Sequence, residues 1–297
     1  MSNIKRSFII LILLFFIQSI VYTIFLLPLI LTWGASENEI NMPLVGDDLA
    51  PYTRSTRAIS INAPVSEVWK WLIQLGADRG GFFSYAFIEK VLGYDTRDAD
   101  SIVPKFQEMK VGRIVPGSLD DSKSIMKYNF PVVYVEPGNS FVLKGWGAFV
   151  LMKLNTEQTR LIVRTHGREL PSLKSKIGDF FETPLHYIME RRMLMGIKAR
   201  SEAGSGVQLS STSDILWFLG VFLSGVGIFL MVLMGRGIQR VLLLAIYGII
   251  WLWPLLIFDP QPIYSMILLF VVAVTIVWLV FKHRLDYNRS NAADSQA

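Results

Sequence analysis

The chain has 297 residues and a mass of 33.7 kDa, with 52% hydrophobic and 18% charged residues, a mean hydropathy of +0.42, net charge +5 and a pI near 9.3. Soluble domains average roughly 45–50% apolar and about 25% charged residues, so these values exclude a disordered chain and a purely soluble enzyme. Cysteine is absent, which excludes disulfides, thiolate nucleophiles, iron–sulfur clusters and cysteine-ligated zinc.

Residues 1–35 read as an N-terminal transmembrane anchor. The run 7–33 holds no charged side chain and follows Lys5 and Arg6. It far exceeds the roughly 7–15 apolar residues of a signal peptide, so it is expected to be retained, although Ala35-Ser36 keeps cleavage open. Residues 36–53 are polar and acidic, with Pro43 and Pro51, and read as a linker.

Residues 54–200 read as a domain with its own core. A strand is predicted over 54–61, then a helix beginning at Pro64 and carrying Val65, Val68, Trp69, Leu72 and Ile73 at helical spacing. After the turn 78–81 a short helix is predicted over 85–92. Strands follow at 113–116, 124–129, 132–136, 140–146, 148–155 and 158–166, with turns at 136–139 and 155–158. A last helix is predicted over 179–200. This gives an α+β domain in which a curved antiparallel sheet wraps a long C-terminal helix and encloses an apolar cavity.

Residues 201–213 are a Gly/Ser-rich linker, 214–284 a region of three transmembrane helices, and 285–297 a tail. The three helices correspond to the uncharged runs 215–234, 241–258 and 263–281, making four spans with the first. Gly220, Ser224, Gly225 and Gly227 suit a helix-packing face. No charged side chain lies in any span, which favours anchoring over transport. Residues 34–212 hold 22 basic and 20 acidic residues, a net of +2, and the remaining basic residues flank the spans. The excess positive charge therefore reads as orientation, with both termini cytoplasmic and the middle domain outside, and not as a nucleic-acid footprint. The sequon 288–290 is then on the cytoplasmic side.

The stretches 61–72, 80–85 (Gly-Gly-Phe-Phe-Ser-Tyr) and 99–104, with the order of elements, resemble bacterial START-like (SRPBCC, polyketide-cyclase-like) helix-grip domains over residues 54–200. The segment 189–198 resembles the membrane-attached branch of that superfamily. The resemblance implies a cavity for a lipid or another hydrophobic small molecule, without fixing an activity. The 76–81 stretch reads first as a tight turn; the alternative, from the position of such loops in the family, is that it forms one lip of the cavity, where Asp78 or Arg79 meets a ligand headgroup. As a phosphate loop this turn fails, because it follows a helix and lacks the lysine.

Candidate cavity residues are Asp78, Arg79, Phe82, Phe83, Tyr85, Trp146, Glu182, His186 and Tyr187. The turn glycines are expected to send Phe82, Phe83 and Tyr85 inward, while most aromatics simply fill the core. His166 shares strand parity with Arg160 and Arg164, so it is expected at the surface. No His-x-x-x-His and no carboxylate–histidine pair at ligand spacing is recognised, so no metal or other cofactor is expected, and no residue is assigned as catalytic. Alternatives are a cyclase- or hydrolase-like enzyme using Tyr85, Glu182 or His186, favoured by a cavity-facing polar pair with shifted pKa values, and a scaffold or signalling protein whose helix bundle meets a membrane-protein partner.

Overall fold

A computed structural model describes residues 3–124, 127–204, 210–234 and 238–294. The Gly/Ser stretch 205–209, the basic turn containing Arg236, and part of the strand predicted at 124–129 lie outside the described residues. The chain divides into two compact units, Met1–Leu27 with Ser210–Ala297, and Pro28–Leu209.

In chain order the helical elements begin with α1 (Asn3–Val21), a wider turn at Tyr22–Leu26, α2 (Leu27–Leu31) and α3 (Glu37–Asn41). The strand β1 (Thr53–Ile61), α4 (Val65–Leu72) and α5 (Ala86–Val91) follow. Then come β2 (Ile114–Pro116), β3 (Asn129–Glu136), β4 (Ser140–Leu143), β5 (Gly147–Lys153) and β6 (Thr159–His166). The chain closes with α6 (Leu173–Ala203), α7 (Thr212–Leu233), α8 (Ile238–Leu252) and α9 (Pro262–Asp294).

In the unit Pro28–Leu209 the six strands form one antiparallel sheet in the order β1-β6-β5-β4-β3-β2. The core lies on one face of this sheet, where Phe141, Phe149, Leu161 and Val163 meet Val68, Trp71 and Leu72 of α4 and Met193, Leu194 and Ile197 of α6. Helix α6 starts earlier than the apolar pattern predicts, because Ser172 and Ser175 form a capping box at its N-terminus.

The opposite face of the sheet is covered as well. Residues 36–49, within the stretch 36–53 expected as a linker, fold across it. Arg164 is 2% exposed and donates to the carbonyls of Met42 (2.7 Å), Glu39 (2.7 Å) and Ile40 (2.9 Å) and to Asp47 (2.7 Å). Arg160 pairs with Glu39 at 2.7 Å, and its guanidinium holds that carboxyl down at about 2. Leu44 and Val45 pack on Val142, Ala148 and Val150. Two arginines on one strand face therefore mark a surface that binds a strap of the same chain. The parity argument that placed them in solvent fails because their fork geometry saturates backbone carbonyls.

Phe8–Leu31, most of which belongs to the other unit, and Thr212–Met234 and Pro262–Leu285 within it are long and apolar enough to cross a membrane. The run predicted over 241–258 is instead a shorter apolar helix, Leu242–Ile257, whose last turn widens around Pro254. The small residues of α7 do form a packing face. Gly220 abuts Ser265 and Gly227 abuts Val272, both on α9, and Gly225 meets Trp251 of α8. Trp217 Nε1 donates to the Pro254 carbonyl at 3.1 Å, and Gln18 Nε2 to Ala245 O at 2.9 Å. These two side-chain donors thus find backbone acceptors within the bundle.

Candidate functional site

A cavity of about 810 Å³ opens inside the unit Pro28–Leu209. Phe181, Glu182, Leu185, His186, Met189, Glu190 and Met193 of α6 form one wall. Tyr128, Phe130, Trp146, Thr165 and His166 from the sheet side form another, and Phe82, Ser84, Glu89 and Tyr94 close it.

Trp146 is the hub of the apolar wall. It sits between Gly145 and Gly147, both at positive φ, in the tight β4–β5 connection. Its ring lies 5.0 Å from Phe130, 5.3 Å from Phe149, 5.8 Å from Phe82 and 6.3 Å from His186. Its Nε1 donates to Glu190 Oε2 at 3.0 Å.

Glu190 is fully buried and gathers four groups. Arg57 Nη1 donates to Oε1 at 2.6 Å, Thr165 Oγ1 donates to Oε2 at 3.2 Å, and His186 Nε2 stands 3.4 Å from Oε2. Burial pushes the carboxyl up, but Arg57, His186 and Trp146 outweigh it and hold it below its ordinary value. The anion persists because it is paired and hydrogen-bonded in a dry setting. His186 opens 26% of its side chain, on the cavity side, and burial of the rest pushes the imidazole down to about 4 despite Glu190 beside it. The ring is therefore neutral at neutral pH.

Two further groups face the cavity. Glu89 is 5% exposed, and burial lifts its carboxyl to about 7, with Thr96 donating against that shift and Asp98 adding to it. Arg54 occupies a register shift between Thr53 and Ser55, where β1 carries one extra residue. That bulge turns Arg54 toward α6, where it meets Asp179 (2.7 Å), Thr183 (2.8 Å) and Glu182 (3.4 Å). Glu182 is shared with Arg168.

Of the nine residues expected at the cavity, Phe82, Trp146, Glu182 and His186 line it. Phe83 turns away, at φ 55°, into the core against Trp71, with its N–H donating to Asp98 at 2.8 Å. Tyr85 is buried beside Phe87. Tyr187 is clamped between the guanidinium groups of Arg57 and Arg191, 5.1 and 5.0 Å from its ring. Asp78 pairs with Arg113, and Arg79 donates to the carbonyls of Phe106 and Glu108, so neither reaches the cavity. Residues of a tight turn satisfy local backbone first.

Sequence reasoning misses Arg57, Glu89, Arg54 and Thr165. It also overlooks a carboxylate–histidine pattern that is present, since Glu182, His186 and Glu190 stand four apart on one helix and are neighbours there. His166 is half-buried on the cavity wall, covered by Gly46, and burial lowers its pKa. Among the described residues no group of three or more His, Asp or Glu side chains is placed to hold a metal ion. No family model, no curated protein and no solved structure matches this chain.

Proposed function

We propose that this chain is a membrane-anchored protein whose Pro28–Leu209 unit binds a lipid or another hydrophobic small molecule in the 810 Å³ cavity. The observation that carries this reading is the cavity itself. It has the size of a small-molecule site, an aromatic wall around Trp146, and charged and polar groups held in place by their own pairings, such as Glu190 with Arg57. Enclosing roughly 300 Å² of apolar ligand contributes about 7 kcal/mol before ordering costs. The sheet and the long helix α6 beside the cavity support a START-like, helix-grip reading of the domain. In this reading the shorter helix Leu242–Ile257 is a fourth span, both termini are cytoplasmic and the domain is outside.

The direct test is native mass spectrometry of the full chain extracted in mild detergent. A hydrophobic molecule retained at one per chain, and lost in Trp146→Ala, supports the reading. A protein that carries none, and takes up none from a membrane lipid extract, refutes it. Orientation is read from single cysteines in the cysteine-free chain: Ser122→Cys is expected to react with an impermeant thiol reagent from outside, and Gly237→Cys is not.

A second reading has one observation in its favour. His186 lines the cavity with the Glu190 carboxylate 3.4 Å behind it, the geometry of a carboxylate–histidine pair. Hydrolytic or cyclase-like chemistry on the bound molecule predicts that His186→Gln retains the ligand unchanged. An altered ligand mass in His186→Gln relative to the natural chain favours catalysis, and identical ligands favour binding alone.

A further inference from the structure

The first turns of α6 carry an apolar stripe that stays about half exposed or more. Leu173, Ile177, Phe181 and Leu185 recur every fourth residue and are 73%, 50%, 56% and 43% exposed. At about 3.6 residues per turn this spacing keeps them on one side of the helix. The helix stands free here: a side chain added at Gly178 would meet nothing within 4 Å.

The polar residues of the same turns are sorted by face. Asp179 and Glu182 turn onto the domain and are neutralised by Arg54 and Arg168. Lys174 and Lys176 are exposed and fall on either side of the stripe. The outward surface is therefore apolar along its centre and cationic at its flanks. That is the pattern of a helix that lies in a lipid headgroup layer.

The stripe also runs into the cavity, because Phe181 and Leu185 line it. A hydrophobic molecule leaving a bilayer at this helix would meet Phe181 and Leu185 before it entered the cavity. We propose that the N-terminal third of α6 docks on the surface of an anionic bilayer and forms the portal through which the ligand enters. The occupant is lipid and not a second protein, because the same chain carries helices able to hold the domain at a membrane, and the flanking charge complements anionic headgroups. This rests on the membrane reading above, so the test separates the two.

Single cysteines at Ile177, Phe181, Glu157 and Val274 of the full chain, carrying nitroxide labels, are placed in nanodiscs of phosphatidylcholine with phosphatidylglycerol. Collision rates with oxygen and with a water-soluble nickel chelate then report depth. Val274 is an exposed position on α9 and serves as the lipid reference, while Glu157 in the exposed β5–β6 turn serves as the water reference. The oxygen-to-nickel ratio at Ile177→Cys and Phe181→Cys is expected to exceed that at Glu157→Cys several-fold and to approach that at Val274→Cys. A water-like ratio at both α6 sites with a lipid-like Val274→Cys overturns the portal and leaves the membrane reading intact. Water-like ratios at every site overturn both. Low collision with both reagents at the α6 sites means protein covers the stripe, and overturns the portal in favour of a second copy or the chain's own helix bundle.

Discussion

Glu190 sets the character of the cavity at the level of single residues. A buried carboxylate that loses its cation leaves an uncompensated charge, whichever partner is removed. Glu190→Gln strands the Arg57 guanidinium, and Arg57→Met strands the carboxylate. Each is expected to destabilise the unit by about 3–5 kcal/mol. Replacing both at once is expected to cost less than either alone, read from the unfolding midpoint of the domain. Two cavity residues then oppose each other in pH. His186 has a native pKa near 4 against an ordinary value of about 6.5. As pH falls through that interval the unfolded ring takes a proton that the native ring refuses, and stability is lost. Glu89 runs the other way: its native carboxyl holds its proton up to about 7, whereas the unfolded one releases it near 4.5. Stability is lost as pH rises across that window. Glu89→Gln removes the second effect, so its melting temperature relative to the natural chain is expected to rise from pH 4.5 to pH 8, by up to roughly 3 kcal/mol in stability. A difference that is flat with pH would mean Glu89 is solvated.

At the level of elements, one helix shows both what the sequence declares and what it hides. The body of α6, predicted over 179–200, was readable because side-chain spacing follows helical period. Its first turns were not, because Leu173 and Ile177 stay largely exposed and the start depends on a Ser172–Ser175 cap. The two glycines within α6 differ for a reason no sequence carries. A Cβ at Gly196 would collide with the Phe83 carbonyl oxygen and come within 3.0 Å of Phe83 Cβ, whereas one at Gly178 meets open space. Gly178→Ala is expected to stabilise by about 0.5–1 kcal/mol through lost unfolded-state freedom. Gly196→Ala gains the same propensity but must push α6 off the Gly80–Ser84 turn, at about 1–3 kcal/mol. The two substitutions should shift a denaturation midpoint in opposite directions, and equal shifts would refute the close packing at Phe83. Phe83 itself was expected at the cavity. Its left-handed backbone, fixed by the Asp98 bond, sends it to the core while Phe82 takes the cavity.

At the level of the whole molecule, the border of the domain is the least legible feature, and the reason is chemical. Composition places it at residue 54, since 36–53 is acidic, carries two prolines and shows no apolar period. The structure ties that stretch to the sheet through contacts that leave no periodic trace: arginine forks on backbone carbonyls. Arg57 Nε donates to Ile30 O at 2.8 Å, and Trp33 packs against the main core. The strap also shields Val142 and Ala148, both fully buried, and Val150 beside them. Uncovering side chains of that size costs about 1.5–3 kcal/mol for each large one. That is comparable with the roughly 5–15 kcal/mol that holds a domain together. A fragment spanning residues 28–209 is therefore expected to fold by itself and to unfold in urea in one cooperative transition. A fragment spanning 54–200 holds every predicted strand and most of α6, yet is expected to lack a cooperative transition. If the shorter fragment unfolds with the same midpoint as the longer one, the strap contributes nothing, and the arginine contacts across the outer face are incidental.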